Sequence, residues 1–108
     1  MSKYHNKKIT IGELHFDSLK EALRYTELLE RQKAGSITDL RTQVRFELIP
    51  KQKGERACFY VADFVYKERD GEMVVEDVKG SKRMLTDVYK IKKKLMLKVH
   101  GIKVKEIF

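Results

Sequence analysis

Two neighbouring apolar runs of this chain carry the acids and the amine that could do chemistry. Asp63 lies within the apolar run 61–65, and Asp77 and Lys79 lie at the end of the next β-branched run. Residues 69–72 form a turn sequence between the two runs, so they predict a hairpin that brings Asp63 close to Asp77 and Lys79. Residues two apart point to one face of a strand, which places Asp77 and Lys79 together.

Two carboxylates and one amine are the minimum set for holding a divalent cation beside an activated water, which is the chemistry of nucleases. The Asp-x-Lys spacing alone is a weak signal, because any strand with a charged solvent face can contain it. Asp63 strengthens it. An acid inside an apolar strand should be paired, bound to a metal or located at the strand end. The alternative for Asp63 is a cross-strand ion pair with Lys79.

Length and composition limit the possible classes of protein. A chain of 108 residues predicts a single domain, and 24 basic against 16 acidic residues give a formal net charge of +8. This excess favours a polyanionic partner, although a merely basic surface is the alternative. The single cysteine, Cys58, excludes an intramolecular disulfide and a thiolate zinc cage. No signal peptide or membrane-length apolar run is evident, so we expect a cytoplasmic protein.

Capping signals and apolar periodicity predict the order α-β-β-β-α-β after a small hairpin. The first helix begins with a capping-box pattern at Ser18 and Glu21, runs to about Ala34 and stops at Gly35. A second helix over residues 86–100 ends at Gly101. The predicted strands are residues 40–49, ended by Pro50, 57–67, 73–79 and 102–108, and the hairpin occupies residues 9–16. Residues 1–8 are polar and basic and are expected to fray or to rest on a partner.

The periodicity also predicts which face of each helix is buried. In the first helix the apolar residues are Leu19, Ala22, Leu23, Tyr25 and Leu29. Glu21 lies at the edge of that face. In the second helix the apolar residues recur at three- and four-residue spacing, at Val88, Ile91, Leu95 and Val99.

The motifs together resemble a known superfamily. Asp63, thirteen intervening residues and then Asp77-Val78-Lys79-Gly80 resemble the PD-(D/E)XK nucleases. More narrowly, the chain resembles a phage-borne family of formerly unknown function, related to the endonuclease I type Holliday-junction resolvases. The resemblance covers nearly the whole chain and rests on residues 16–22, Gln43, Arg45, Phe46, residues 62–64, residues 76–80, Tyr89 and Lys90.

Three residues depart from the superfamily pattern or compete with it. Ala62 stands where the motif's proline would be, which costs little because the proline carries no chemistry. Asp77 stands where many members have Glu, and the shorter side chain would move the metal. Glu76 is a rival acid, but on a strand it faces away from Asp77 and Lys79, so we place it outside the site.

The resemblance implies a restriction-endonuclease-like α/β (α+β) domain with a central mixed sheet flanked by helices. It implies an endonuclease for branched DNA that uses Mg²⁺, with Mn²⁺ able to substitute, and that acts as a homodimer. Asp63, Asp77 and Lys79 would be catalytic, and Glu21 would be a third metal ligand. The alternative for Glu21 is a purely capping role. The alternatives for the protein are a non-catalytic nucleic-acid-binding module or a nuclease for other DNA or RNA substrates.

Basic residues near these acids are candidates for contact with phosphate. Lys20 and Arg24 are predicted on the exposed side of the first helix, and Lys82 and Arg83 follow the last catalytic candidate. The second helix carries a basic strip opposite its apolar residues. Such strips are often only solvated faces. The strip consists of Lys90, Lys93, Lys94 and Lys98.

Overall fold

The computed structural model describes residues 8–108, so the expectation for the basic amino terminus lies outside the described residues, apart from Lys8. The predicted order is confirmed: a hairpin precedes an α-β-β-β-α-β domain, and a short 3-10 turn, Lys82–Met84, lies before the second helix. The elements are β1 (Ile9–Ile11), β2 (Leu14–Phe16), α1 (Leu19–Lys33), β3 (Ile37–Ile49), β4 (Cys58–Glu68), β5 (Met73–Val78), α2 (Asp87–His100) and β6 (Lys105–Ile107).

A four-stranded mixed sheet of order β3-β4-β5-β6 separates two apolar cores. Neighbouring strands are antiparallel, except that β5 and β6 are parallel. On one side Ala22 and Leu28 of α1 pack with Phe64 and Tyr66. On the other side α2 packs through Tyr89 and Met96 against a second cluster built on β4 and β5. The sheet is therefore covered by one helix on each face, and β1 and β2 form a separate hairpin whose Phe16 joins the α1 core.

The strand β4 changes the face to which its alternate residues point. Ala62 belongs to the α2 core and Phe64 to the α1 core, although residues two apart normally share a face. On β3, Gln43 lies between the partners of these two residues and has a left-handed backbone, with φ of +51°. This irregularity puts Asp63 at the boundary between the two layers.

The buried face of α1 differs from the prediction. Ala22 is buried as expected, and Leu28 is fully buried, but Leu19 and Leu23 are 60% and 55% exposed. Apolar residues cover more than one side of this helix, so their spacing did not define a single face. Contact with Phe64 and Tyr66 decides the orientation instead.

The buried face of α2 also differs. Tyr89 and Met96 are buried, and Leu95 is partly buried, whereas Val88, Ile91 and Val99 are 62%, 58% and 48% exposed. Apolar side chains surround most of this helix, and the large Tyr89 and Met96 fill the core. Of the four spaced residues, Val88, Ile91 and Val99 are therefore exposed, and Leu95 alone packs toward the core.

Helix ends were predicted more accurately than strand ends. Ser18 and Thr86 cap the helices through their hydroxyl oxygens, and Gly35 and Gly101 have φ of +82° and +68°. The strand β3 begins at Ile37 rather than at residue 40, because Ile37 is buried and pairs with Glu68 beyond an irregularity in the register. The strand β6 covers only part of the predicted range 102–108.

No helix within residues 8–108 combines the length and the apolar character that crossing a membrane requires.

Candidate active site

Asp77, in β5, and Lys79, one residue beyond its end, lie together on the α2 side of the sheet, as their spacing predicts. The Lys79 Nζ atom is 3.0 Å from Asp77 Oδ1, and the Tyr60 hydroxyl donates a hydrogen bond of 2.6 Å to Asp77 Oδ2. Lys79 also lies 3.7 Å above the centre of the Tyr89 ring, an arrangement that a cation finds favourable. Both polar contacts hold the carboxylate of Asp77 in one orientation.

Asp63 lies on β4 beside the end of β5. Its Oδ2 accepts a hydrogen bond of 2.7 Å from the Val78 backbone N–H, and its Oδ1 lies 3.4 Å from the Gln43 amide nitrogen. The ion pair with Lys79 that was the alternative for Asp63 does not form, because Lys79 pairs with Asp77. The strand pairing thus brings Asp63 close to Asp77 without neutralising it.

Glu21 reaches the same region from the first turn of α1. Its backbone N–H donates to Ser18 Oγ at 3.1 Å, which is the capping half of the predicted pattern. Its carboxylate, however, accepts a 3.2 Å hydrogen bond from Gln43. The Gln43 amide therefore joins the carboxylates of Glu21 and Asp63, and a purely capping role does not account for where the Glu21 side chain points.

The carboxylates outnumber the positive charges around them. Burial raises the pKa of Glu21 to about 7, and the neighbouring carboxylates of Asp63, Asp17 and Asp77 contribute to the rise. Burial also raises the pKa of Asp63 to about 6; the Val78 N–H opposes this rise, and the Asp77 carboxylate reinforces it. Mutual repulsion of partly desolvated acids is a common property of sites that bind a cation or move a proton.

Whether these acids suit a divalent cation depends on their chemistry and on their present rotamers. They supply hard carboxylate oxygens, and a cation between them would offset both the burial and the mutual repulsion that raise the pKa values of Glu21 and Asp63. In residues 8–108, no group of three or more His, Cys, Asp or Glu side chains is close enough to hold a metal ion as they stand. The oxygens of Asp77 are engaged by Tyr60 and Lys79. The donor set fits Mg²⁺ or Mn²⁺ if these side chains turn toward one another.

An open cavity of about 440 Å³ lies beside the acids. Lys20, Glu21 and Lys79 line it, together with Asp17 and Gly80. Lys20, proposed from the sequence for phosphate contact, therefore faces the same opening as Lys79. The cavity gives an extended ligand access to the carboxylate of Glu21.

Arg24 does not lie on the exposed side of α1, which corrects the prediction of a phosphate contact. Its guanidinium forms two hydrogen bonds with Glu76, of 2.8 and 2.6 Å, and only 15% of its side chain is exposed. Glu76 is fully buried and also accepts a hydrogen bond from Tyr66. As predicted, Glu76 lies outside the site, on the opposite face of β5 from Asp77.

The other basic candidates do not form one continuous strip. Lys82 and Arg83 are exposed in the 3-10 turn that follows β5. Lys93 forms an ion pair of 3.1 Å with Glu106, and so is partly neutralised. Lys90 and Lys94 are exposed at the rim of a separate groove.

Sequence reasoning used Gln43 only as part of the family resemblance, and it assigned no site role to Gln43 or Tyr60. Gln43 bridges Glu21 and Asp63, and Tyr60 binds Asp77. Both contacts join residues at least 17 positions apart, so local spacing contained no signal for them. The left-handed backbone of Gln43 is a structural sign of a constrained position, because residues other than glycine rarely adopt it.

The fold and the site define a small α+β domain with an acid-rich cluster and one lysine at the end of its central strands. Residues 1–107 match the model of the family described as "Protein of unknown function (DUF1064)", and the chain belongs to that family. No curated protein and no solved structure matches the chain.

Proposed function

We propose that this protein is a Mg²⁺-dependent endonuclease of the PD-(D/E)XK superfamily that hydrolyses phosphodiester bonds in DNA. The observation that carries the proposal is the excess of carboxylates at Glu21, Asp63 and Asp77 around the single amine of Lys79, beside an open cavity. Within residues 8–108 neither Glu21 nor Asp63 forms an ion pair, and burial together with neighbouring carboxylates raises the pKa values of both. The resemblance of Asp63, Asp77 and Lys79 to the superfamily motif supports the same conclusion.

In the proposed reaction the carboxylates hold the cation, and Lys79 acts on the phosphate or the water. A bound Mg²⁺ would lower the pKa of a water and neutralise charge on the scissile phosphate. Lys79 is already oriented by Asp77 and by the Tyr89 ring, so its ammonium can orient the water or stabilise the charge that develops on the phosphate. Lys20, at the rim of the cavity, would bind a neighbouring phosphate.

The proposed substrate is branched DNA of the Holliday-junction type, and the proposed products carry a 5′ phosphate and a 3′ hydroxyl. The resemblance supports this choice, and the formal net charge of +8 favours a polyanion. Cleavage of a junction on two strands needs two active sites, so we propose a homodimer. We place this activity in the cytoplasm of a bacterial or phage-infected cell.

The test is cleavage of a four-way junction, a linear duplex of matching sequence and single strands, each with Mg²⁺ and with EDTA. The variant Asp63→Asn keeps the acceptor for the Val78 N–H and removes the charge. We expect Mg²⁺-dependent cleavage, fastest on the junction, and no cleavage by Asp63→Asn. Glu30→Gln is the control, because Glu30 is an exposed acid on α1 outside the site.

Two outcomes would contradict the proposal. Cleavage that persists in EDTA or in Asp63→Asn would show that these acids are not the active site. Tight binding of DNA without cleavage under any metal condition would instead identify the non-catalytic nucleic-acid-binding module. If the protein cleaved linear DNA or RNA faster than the junction, the proposal of a nuclease would stand, but the proposed substrate would be wrong.

A further inference from the structure

A second opening lies on the α2 side, between that helix and the segment that leads into β6. It has a volume of about 270 Å³, and Leu85, Leu97 and Val104 form its apolar surface. Val104 is buried, whereas Leu97 is 56% exposed. Leu97 was not part of the predicted apolar face, so this groove is visible only in the folded chain.

Lysines surround the apolar surface on both sides. Lys90, Lys93 and Lys94 belong to α2, and Lys103 lies across the groove before β6. Glu106 is the acid that lines the groove, and it is engaged by Lys93 at 3.1 Å and by the Tyr89 hydroxyl at 2.8 Å. Within residues 8–108, Lys90, Lys94 and Lys103 form no ion pair. The groove thus presents a small apolar patch inside a ring of uncompensated positive charge.

We propose that this groove holds an unpaired base of single-stranded DNA, with the flanking phosphates on Lys90, Lys94 and Lys103. Its volume of about 270 Å³ is close to the lower end of the ~300–1,000 Å³ of typical small-molecule sites, so it has room for a single base. A base has an apolar face, and its nucleotide carries the charge that the rim complements. The proposal rests on the proposed DNA partner, and it adds a contact that does not require cleavage.

The groove is joined to the candidate active site through one side chain. The Tyr89 hydroxyl donates to Glu106 at the groove, and the ring of the same residue lies under Lys79. A base in the groove would therefore lie about one tyrosine side chain away from the candidate catalytic amine. Flaps, gaps and other branched DNA with single-stranded segments contain unpaired nucleotides, so this contact would favour such DNA over continuous duplex DNA.

The test is fluorescence anisotropy in EDTA with two labelled 12-nucleotide strands, one intact and one with abasic sites in its central positions. The abasic strand keeps every phosphate and lacks the bases. We expect the wild type to bind the intact strand at least about fivefold more tightly, because only that strand can bury the apolar face of a base against Leu97 and Val104. Leu97→Gln should bind both strands equally well.

Matched variants separate the base contact from charge and from folding. Ile91→Gln is the control for Leu97→Gln, because Ile91 lies on the same helix, is 58% exposed and is outside the groove, so it should keep the preference for the intact strand. Lys94→Gln should weaken binding of both strands equally and reduce the slope of log K against log salt by ~0.7. Lys33→Gln, at an exposed position of α1, should change neither the affinity for the two strands nor the salt slope.

Equal affinity of the wild type for the two strands, or an unchanged preference in Leu97→Gln, would overturn the proposal. Binding to phosphatidylserine vesicles that depends on Leu97, without a preference for intact DNA, would assign the groove to a lipid surface instead. Because the assay contains no metal, it separates this proposal from the proposed function. If the protein preferred the intact strand but cleaved no DNA, the base-binding role of the groove would be supported and the proposed nuclease activity would be refuted.

Discussion

The two faces of β5 carry adjacent acids in opposite electrostatic situations. On the α1 side Glu76 is fully buried, and its oxygens receive hydrogen bonds from Arg24 and Tyr66. On the α2 side Asp77 belongs to a cluster in which Lys79 is the cation that pairs with it. Asp63 and Glu21 extend that cluster without a cation of their own, and their pKa values are raised.

This difference separates a structural role from a functional one. The Arg24 and Glu76 pair links α1 to β5 across 52 positions of sequence, so it fixes the helix that carries Glu21 relative to the strand that carries Asp77. Its charges are balanced inside the protein. The acids around Lys79 are not balanced, and folding by itself gains nothing from their repulsion. We infer that the ion pair of Arg24 and Glu76 positions α1. We infer that the acids around Lys79 bind a ligand that compensates their negative charge.

The largest effect should follow from breaking the ion pair of Arg24 and Glu76. Glu76→Ala leaves the Arg24 guanidinium without its buried partner and the Tyr66 hydroxyl without its acceptor. We expect the free energy of unfolding to fall by about 3–5 kcal/mol, measured by urea denaturation with EDTA present. By contrast, Asp63→Asn removes a charge that neighbouring carboxylates repel. Above pH 6 the free energy of unfolding of this variant should be equal to or higher than that of the wild type. A similar loss in both variants would contradict the distinction between the two clusters.

The second effect concerns the catalysis that we propose for the cluster around Lys79. Lys79→Gln keeps a side chain of similar shape and removes the positive charge, so we expect kcat for junction cleavage to fall at least ~100-fold at saturating Mg²⁺ and DNA. Arg83→Gln, in the exposed turn nearby, should weaken DNA binding and leave kcat within about threefold. Equal losses of kcat in the two variants would show that Lys79 contributes only general charge.

The features that the sequence predicted well are local. Caps at Ser18 and Gly101 depend on a few neighbouring residues, and a shared strand face for Asp77 and Lys79 follows from a period of two. The features that it missed depend on contacts between distant segments. The position of Asp63 depends on a change of strand face opposite Gln43, and hydrophobic spacing contains no sign of it.

Arg24 illustrates the same limit for charged residues. Its position on α1 predicts exposure, because Arg is seldom buried without a partner. The partner, Glu76, comes from a strand that is distant in sequence, and only the fold brings the two together. The same limit applies to the apolar residues Leu19 and Leu23. Their spacing predicts burial, but they are exposed because the sheet contacts a different side of the helix.

A third prediction uses pH to test the charge state of Glu21. Burial raises the pKa of Glu21 in the folded protein from its ordinary value of 4.5 to about 7, so the folded protein binds this proton more tightly than the unfolded chain does. The stability associated with the bound proton is present below pH 4.5 and is lost as the pH rises through about 7. Glu21→Gln cannot ionise. Without metal, it should therefore unfold like the wild type at pH 4 and be more stable by about 1–2 kcal/mol at pH 8.

The control for this pH series is Glu30→Gln, which removes an exposed carboxylate from the same helix. It should change stability little, and equally at both pH values. The same variants measured for junction cleavage complete the test, because Glu21→Gln should lose activity while gaining stability. A difference between Glu21→Gln and the wild type that does not vary with pH would return Glu21 to a capping role.

The smallest effect compares the two tyrosines that donate to the two acids of β5. Tyr60→Phe and Tyr66→Phe each remove one buried hydroxyl, from Asp77 and Glu76 respectively, and each should lower stability by about 1 kcal/mol in EDTA. Mg²⁺ should restore stability to Tyr60→Phe more than to Tyr66→Phe. The reason is that Asp77 without its tyrosine is freer to bind a cation, whereas Glu76 remains engaged by Arg24. Thermal unfolding across a Mg²⁺ titration measures the difference, and an equal response of the two variants would show that Asp77 does not contact the metal.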